Sequence, residues 1–293
     1  MAGLTARYAQ LEERIAGWAA RRNDVHAAIV VGSRARADHS ADAFSDLDVL
    51  LVVEHPQVYL DDVAWLDEID AVWTWMTHRT VGGDPEQLVV FAGAARVDLV
   101  LVALERTRAI PDLPALPDVL SRGMRSLFDR DGWEARIRSV PAAERRPAPS
   151  TQAELSRAAR EFWLLALYAA QQVARDDLWW VRACDDSLRA ALLPVLAWHA
   201  QAMRGGITGH NGRQIAAWAD RRVAAALPAT WARYDRDDAW RALQATIALF
   251  RWTARETATA LGLEYPRTLD ARMSAAIVAV WPGSTSPADP RRS

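Results

Sequence analysis

At 293 residues, 51% hydrophobic and 25% charged, the chain is long enough for one large core or two ordinary domains and too apolar to be disordered. Its formal net charge is −2, with all 35 basic residues arginine, so it lacks the basic surplus a nucleic-acid partner calls for, and no uninterrupted apolar stretch is long enough to span a bilayer. A single cysteine, Cys184, excludes an intrachain disulfide and fits a reducing compartment, so the chain is expected to work in the cytoplasm.

The first segment, MAGLTARYAQLEERIAGWAARR, lacks the apolar core of a signal peptide. Leu4, Tyr8, Leu11, Ile15 and Trp18 recur at intervals of three and four, the spacing of an amphipathic helix. Residues 25–32 (VHAAIVVG) read as a buried strand ending at a glycine turn, and 47–53 (LDVLLVV) and 97–102 (VDLVLV) as two further strands. Between them, Val63, Leu66, Ile69 and Val72 or Trp73 predict a helix over 60–76, on which the run Asp61, Asp62, Asp67, Glu68 and Asp70 forms a solvated face. GGDPEQLVVFA returns through a turn to another strand, and RSLFDRDG at 125–132 holds one more.

The proline-bearing stretch 139–151 (SVPAAERRPAPST) marks a linker between a domain at 1–138 and a second at 152–281. The second is helical throughout. Leu155, Phe162, Leu165, Ala169 and Val173 stripe a helix over 151–175, long helices follow at 177–203 and 236–262, and shorter ones at 212–226 and 268–281. Residues 282–293 (PGSTSPADPRRS) read as a disordered tail. The fold class is therefore α+β: a mixed strand-and-helix domain followed by an all-helical bundle.

Chemistry concentrates in the first domain. Asp46 and Asp48 alternate along one strand and so share a face, and Asp98 joins them if its strand pairs alongside in register. Carboxylates so gathered repel and raise one another's pKa, a penalty that a divalent cation removes; oxygen ligands with no His or Cys nearby point to Mg²⁺. Gly32 permits close approach of the backbone, Ser33 and Arg34 supply a hydroxyl and a guanidinium for phosphate, and a helical turn after them presents free N–H groups to an anion. Phosphate cradle plus acids is equipment for phosphoryl or nucleotidyl transfer. Taken singly, each feature also has an ordinary reading: a turn, a turn-capping Asp, a solvated strand-edge acid.

GSRAR, SDLDVLLVV and RVDLVLV resemble the nucleotidyltransferase core shared with DNA polymerase β. The resemblance narrows to the aminoglycoside 6-adenylyltransferases of the streptomycin-modifying type. EFWLLALYAAQQVARDDLWWVRACDDSLRAALLPVLAWHAQ, GGITGHNGRQI and LFRWTARETATALGLEYP are similar to that family's helical half, so the likeness spans about residues 25–281. It implies a fold with an N-terminal nucleotidyltransferase domain and a reaction in which ATP gives AMP to an aminoglycoside hydroxyl, with Mg²⁺ required and pyrophosphate released. By motif it implies that Gly32 and Ser33 hold the triphosphate and that Asp46 and Asp48 bind metal. Asp98 completes the metal site or helps deprotonate the acceptor. In the helical half it puts an acid near the acceptor hydroxyl, where this chain has Arg182, with Asp185 and Asp186 a turn later; one of these two takes the role. His210 and Arg213 stand where the family pattern has lysines in a Gly-containing turn. The partners implied are ATP and a cationic aminoglycoside-like molecule, with no nucleic acid and no membrane. The same chemistry on another hydroxyl, of a small molecule or a protein, and a non-catalytic binding module of this fold are the alternatives; the intact acids argue against the last.

Of the 14 tryptophans, most read as core, with Trp163, Trp179, Trp180, Trp198 and Trp218 the candidates for a ligand wall. His199 reads as structural, and nothing near Cys184 in sequence activates it as a nucleophile.

Overall fold

The structure is a computed structural model; it describes residues 2–36, 41–42, 44–110, 114–142, 151–205 and 210–281. The chain divides into two compact units, Met1–Arg145 and Arg146–Ser293. The expected tail and most of the expected linker lie outside the described residues.

The first unit opens with α1 (Ala2–Ala20), which buries Tyr8, Leu11, Ile15 and Trp18, the stripe the spacing predicts. Next come β1 (Val25–Val31), a 3₁₀ turn at Gly32–Ala35 and β2 (Leu47–Val53). Two short helices, α2 (Pro56–Asp61) and α3 (Trp65–Ile69), lead to β3 (Val72–Arg79), β4 (Pro85–Phe91) and β5 (Ala95–Ala103). The unit closes with α4 (Leu104–Thr107), α5 (Asp118–Ser121), β6 (Arg125–Asp129) and α6 (Trp133–Arg138).

The strands form one six-stranded sheet in the order β3-β4-β5-β2-β1-β6. Only β2 and β5 run parallel; the other neighbours are antiparallel, so the sheet is mixed. Alternation along the strands sets the two faces. Leu47, Val49 and Leu51 of β2 and Val97, Leu99 and Leu101 of β5 point into one core with α1, α2 and α3. On the other face Ala27, Ile29 and Val31 of β1 pack under Leu116, Met124, Trp133 and Ile137.

The predicted helix over 60–76 does not exist as such. Asp62 accepts the Ala64 N–H at 2.9 Å and ends α2, and Asp70 adopts extended backbone and ends α3. Leu66 and Ile69 are buried as the helical spacing requires, but Val72–Arg79, alternating β-branched and aromatic residues, continues as the outermost strand. The acids are not all a solvated face either: Asp70 is nearly buried between Arg7 and Arg14, and Glu68 accepts from Arg22 and from the Trp18 indole.

The second unit is helical: α7 (Gln152–Ala174), α8 (Leu178–Arg204), α9 (Ile215–Trp218), α10 (Arg221–Ala226), α11 (Arg236–Ala260) and α12 (Arg267–Val280). Thr151 and Glu154 form a capping box on α7, and Asp177 and Asp235 cap α8 and α11. Phe162 and Phe250 stack in the core between α7 and α11, with Trp163 edge-on to both. A continuous helix over 212–226 is not found: Asn211, Gly212 and Gln214 take left-handed backbone, and Asp220 starts a fresh helix by accepting the Arg222 N–H.

Asp270 anchors α12. It is almost fully buried, and it accepts two bonds from Arg251 Nε, one from Arg251 Nη2, one from Arg255 and one from the Tyr265 hydroxyl. Burial pushes its pKa up, but Arg251, Ser274 and Tyr265 outweigh that and hold it below the usual carboxylate range. Asp270→Ala strands two arginines and is expected to cost about 2–4 kcal/mol in equilibrium denaturation, toward the lower end because both guanidinium groups reach solvent. A loss below about 0.5 kcal/mol would show that α12 is held by its apolar contacts alone.

Candidate active site

The parallel pairing of β2 with β5 sets Asp48 opposite Asp98 in register. Both occupy the face opposite the α1 core, flanked by fully buried Leu47, Val49, Val97 and Leu99. Asp46 lies two residues before Asp48, just ahead of β2. The sheet therefore brings the three acids together. Burial pushes the Asp98 carboxyl up to about 6, and Asp46 and Glu86 push the same way while Arg96 draws it down.

The turn Gly32–Ala35 lies against them, because β1 delivers it antiparallel to β2 with Val31 opposite Asp48. Gly32 has φ +70, and a Cβ there would overlap the Asp48 carboxylate and come within 3.0 Å of its Cγ. The absent side chain thus makes room for one of the acids. Behind the turn, Gly123 packs so closely that a Cβ would lie 2.8 Å from the Ala35 carbonyl oxygen. Ser33 is half-buried on the turn.

Arg34 has a different setting from the one its place in the motif suggests. Its Nε donates to the carbonyls of Ser45 and Asp46 at 3.2 and 3.0 Å, and its Nη2 donates to Ser45 at 2.7 Å. The guanidinium lies 3.6 Å from the centroid of the buried Tyr8 ring. The Tyr8 hydroxyl in turn accepts the Arg96 N–H at 3.2 Å. Arg96 closes the circle: its Nη2 stands 2.7 Å from Asp46 Oδ2. As the side chains stand, no three His, Cys, Asp or Glu among the described residues are arranged to hold a metal ion. Tyr8, Arg96 and Glu86 escape the sequence reading; the two-residue spacing of Arg96 from Asp98, which puts both on one face, is the signal that could have found Arg96.

The remaining predicted residues belong to the helical unit. Asp185 and Asp186, with Trp179, Arg182, Arg233 and Tyr234, line a cavity of about 470 Å³ whose floor is apolar. Asp185 is held by Arg182 and by Arg189, whose guanidinium also rests on Trp231, while Asp186 pairs with Arg182 and is largely exposed. Arg213 is exposed beside the turn at His210–Gly212; the His210 side chain lies outside the described set. Trp163 is core, and Trp179 and Trp180 reach solvent. Cys184 is buried, and burial pushes its thiol pKa up, the opposite of an activated nucleophile. His199 is fully buried with Nε2 2.8 Å from Glu256, whose carboxyl is lowered to about 2, chiefly by Arg222.

The sequence matches the family described as streptomycin adenylyltransferase over residues 7–279. It is 23% identical over 249 residues to an aminoglycoside 6-adenylyltransferase of Bacillus subtilis (strain 168), covering 80% of this chain and 84% of that protein. Among solved structures it is similar to an aminoglycoside 6-adenyltransferase from Bacillus subtilis, with a TM-score of 0.43, 16% identity, and 92% and 96% of the two chains covered. A nucleotidyltransferase-like protein from Exiguobacterium sibiricum 255-15 follows, with a TM-score of 0.34, 16% identity, and 84% and 74% covered.

The raised Asp98 carboxyl makes a stability claim. Between the ordinary aspartate value of 3.8 and its folded value of about 6, the folded protein binds more protons than the unfolded one, so stability falls as pH rises through that window. Asp98→Asn is therefore expected to match the wild type near pH 4 and to be more stable above pH 6, by about 1–2 kcal/mol once solvent screening is allowed for. Denaturation at pH 4, 6 and 8 measures it; a variant less stable than wild type at pH 8 would contradict it. Gly32→Ala is expected to lose about 1–2 kcal/mol from left-handed strain, plus the cost of moving Asp48. Unchanged stability in the same assay would remove the claim that turn and carboxylate compete for one volume.

Proposed function

The chain belongs to the streptomycin adenylyltransferase family, and from that premise we propose that it transfers AMP from ATP to a hydroxyl of a streptomycin-like, cationic aminoglycoside, with Mg²⁺ as cofactor. The observation that carries the reading is the in-register pair Asp48–Asp98, with Asp46 two residues upstream and the Gly32 turn packed on Asp48.

In this reading Gly32 and Ser33 receive the triphosphate through the backbone of their turn. Arg34 acts from behind, fixing the carbonyls on either side of the Ser45–Asp46 peptide. By donor chemistry Asp46, Asp48 and Asp98 would suit a hard divalent cation, since all are oxygen donors, and Asp46 adds to burial in disfavouring the charged form of Asp98. When bound, it neutralises the acids and the charge gathering on the phosphate oxygens. The acceptor oxygen attacks the α-phosphorus, the bond to the bridging oxygen breaks, and pyrophosphate leaves. Asp98 either completes the metal site or, if it stands within hydrogen-bond reach of the acceptor, takes the hydroxyl proton. In the helical unit, Asp185 is braced by two arginines, so Asp186 is the better placed of the two to meet an amine of the acceptor. Arg213 and His210 remain candidates for the nucleotide's phosphates on charge alone.

The test is pyrophosphate release from ATP and Mg²⁺ with a panel of aminoglycosides. Turnover with streptomycin or a relative is expected, and Asp48→Ala should reduce it at least about 100-fold with the fold retained. Release only with a different hydroxyl compound would keep the chemistry and reassign the acceptor. Undiminished turnover by Asp48→Ala would end the assignment.

A further inference from the structure

Asp46 already has a cation. Arg96 Nη2 stands 2.7 Å from Asp46 Oδ2, a single end-on contact rather than a two-pronged fork. The two partners are unequally rooted. The Asp46 side chain is 18% exposed and its carbonyl is gripped by Arg34, whereas the Arg96 side chain is 59% exposed. The Arg96 backbone is fixed by Tyr8, so the side chain moves without disturbing β5. The guanidinium carries one positive charge and is paired with Asp46 beside the strand position of Asp98. A divalent cation carries twice that charge and would compete with the guanidinium for the same carboxylate.

We propose that Arg96 is a displaceable counter-ion: it holds Asp46 in place while the carboxylate site is empty and must let go before a divalent cation can take that carboxylate. The inference rests on the reading of Asp46, Asp48 and Asp98 as a metal site. Its chemistry is exchange of partners, with no bond made or broken. Arg96 is in this sense a positioning residue. It competes with metal for one ligand and so sets the concentration at which the site fills.

The probe is Mn²⁺ binding to the full chain without nucleotide, followed by the electron paramagnetic resonance of the free ion, with Asp48→Asn as the blank for other sites. Arg96→Gln is expected to bind Mn²⁺ about two- to fivefold more tightly than wild type, the range a solvent-exposed ion pair can impose. Arg96→Lys, which keeps the charge, should stay within about twofold of wild type. A purely structural role for Arg96 would leave Mn²⁺ affinity unmoved, and thermal melts of all variants separate folding defects from it. Equal or weaker binding by Arg96→Gln, with wild type binding well, overturns the role of Arg96 alone. Failure of wild type to take up Mn²⁺ even with ATP overturns the metal site along with it, and the pyrophosphate assay then judges the proposed reaction independently.

Discussion

Everything chemical in the first unit follows from setting two carboxylates side by side on adjacent parallel strands. Asp48 and Asp98 are opposite each other and half-buried, flanked along their strands by fully buried apolar residues. The fold meets that cost locally: Arg96 supplies charge, and the bare Gly32 gives Asp48 space. Burial, with Asp46 and Glu86, keeps the Asp98 carboxyl raised despite Arg96.

Arginine carries an unusual share of the architecture because the chain contains no lysine. Arg34 bridges two carbonyls and stacks on Tyr8; Arg189 bonds Thr230 and Asp185 while lying on Trp231; Arg251 reaches Asp270 and Ser274 together. Each is a planar, multi-donor contact that an ammonium could not reproduce. Formal charge counts therefore understate the basic groups' role: here they serve as rigid struts as much as charges.

The long elements were legible because their periodicity was long. α1, α7, α8, α11 and α12 were readable to within a residue or two, and the three Val/Leu strands read correctly from their apolar runs. The failures were short-range. Over 60–76, true helical spacing at Leu66 and Ile69 ran on into a strand, and the breaks lay in single aspartates, Asp62 and Asp70, whose local bonds spacing alone does not show. Over 212–226, left-handed backbone at Asn211 and Gln214 left no trace in the pattern of apolar residues. The acids of the candidate site were legible because a strand alternates strictly. Arg34's grip on Ser45 and Asp46 was not, since it needs the position of Tyr8, and neither was the reach from Tyr8 to Arg96 across 88 residues.

That reach redraws where the candidate site begins. Tyr8 lies on the opening helix, well before the first glycine of the recognisable motif, yet it underpins both Arg34 and the start of β5. A shortened form of the protein initiated after residue 8 would retain every signature residue and still lose the post on which two arms of the centre lean. The amino-terminal boundary of any expressed fragment is thus a question of chemistry as well as of folding.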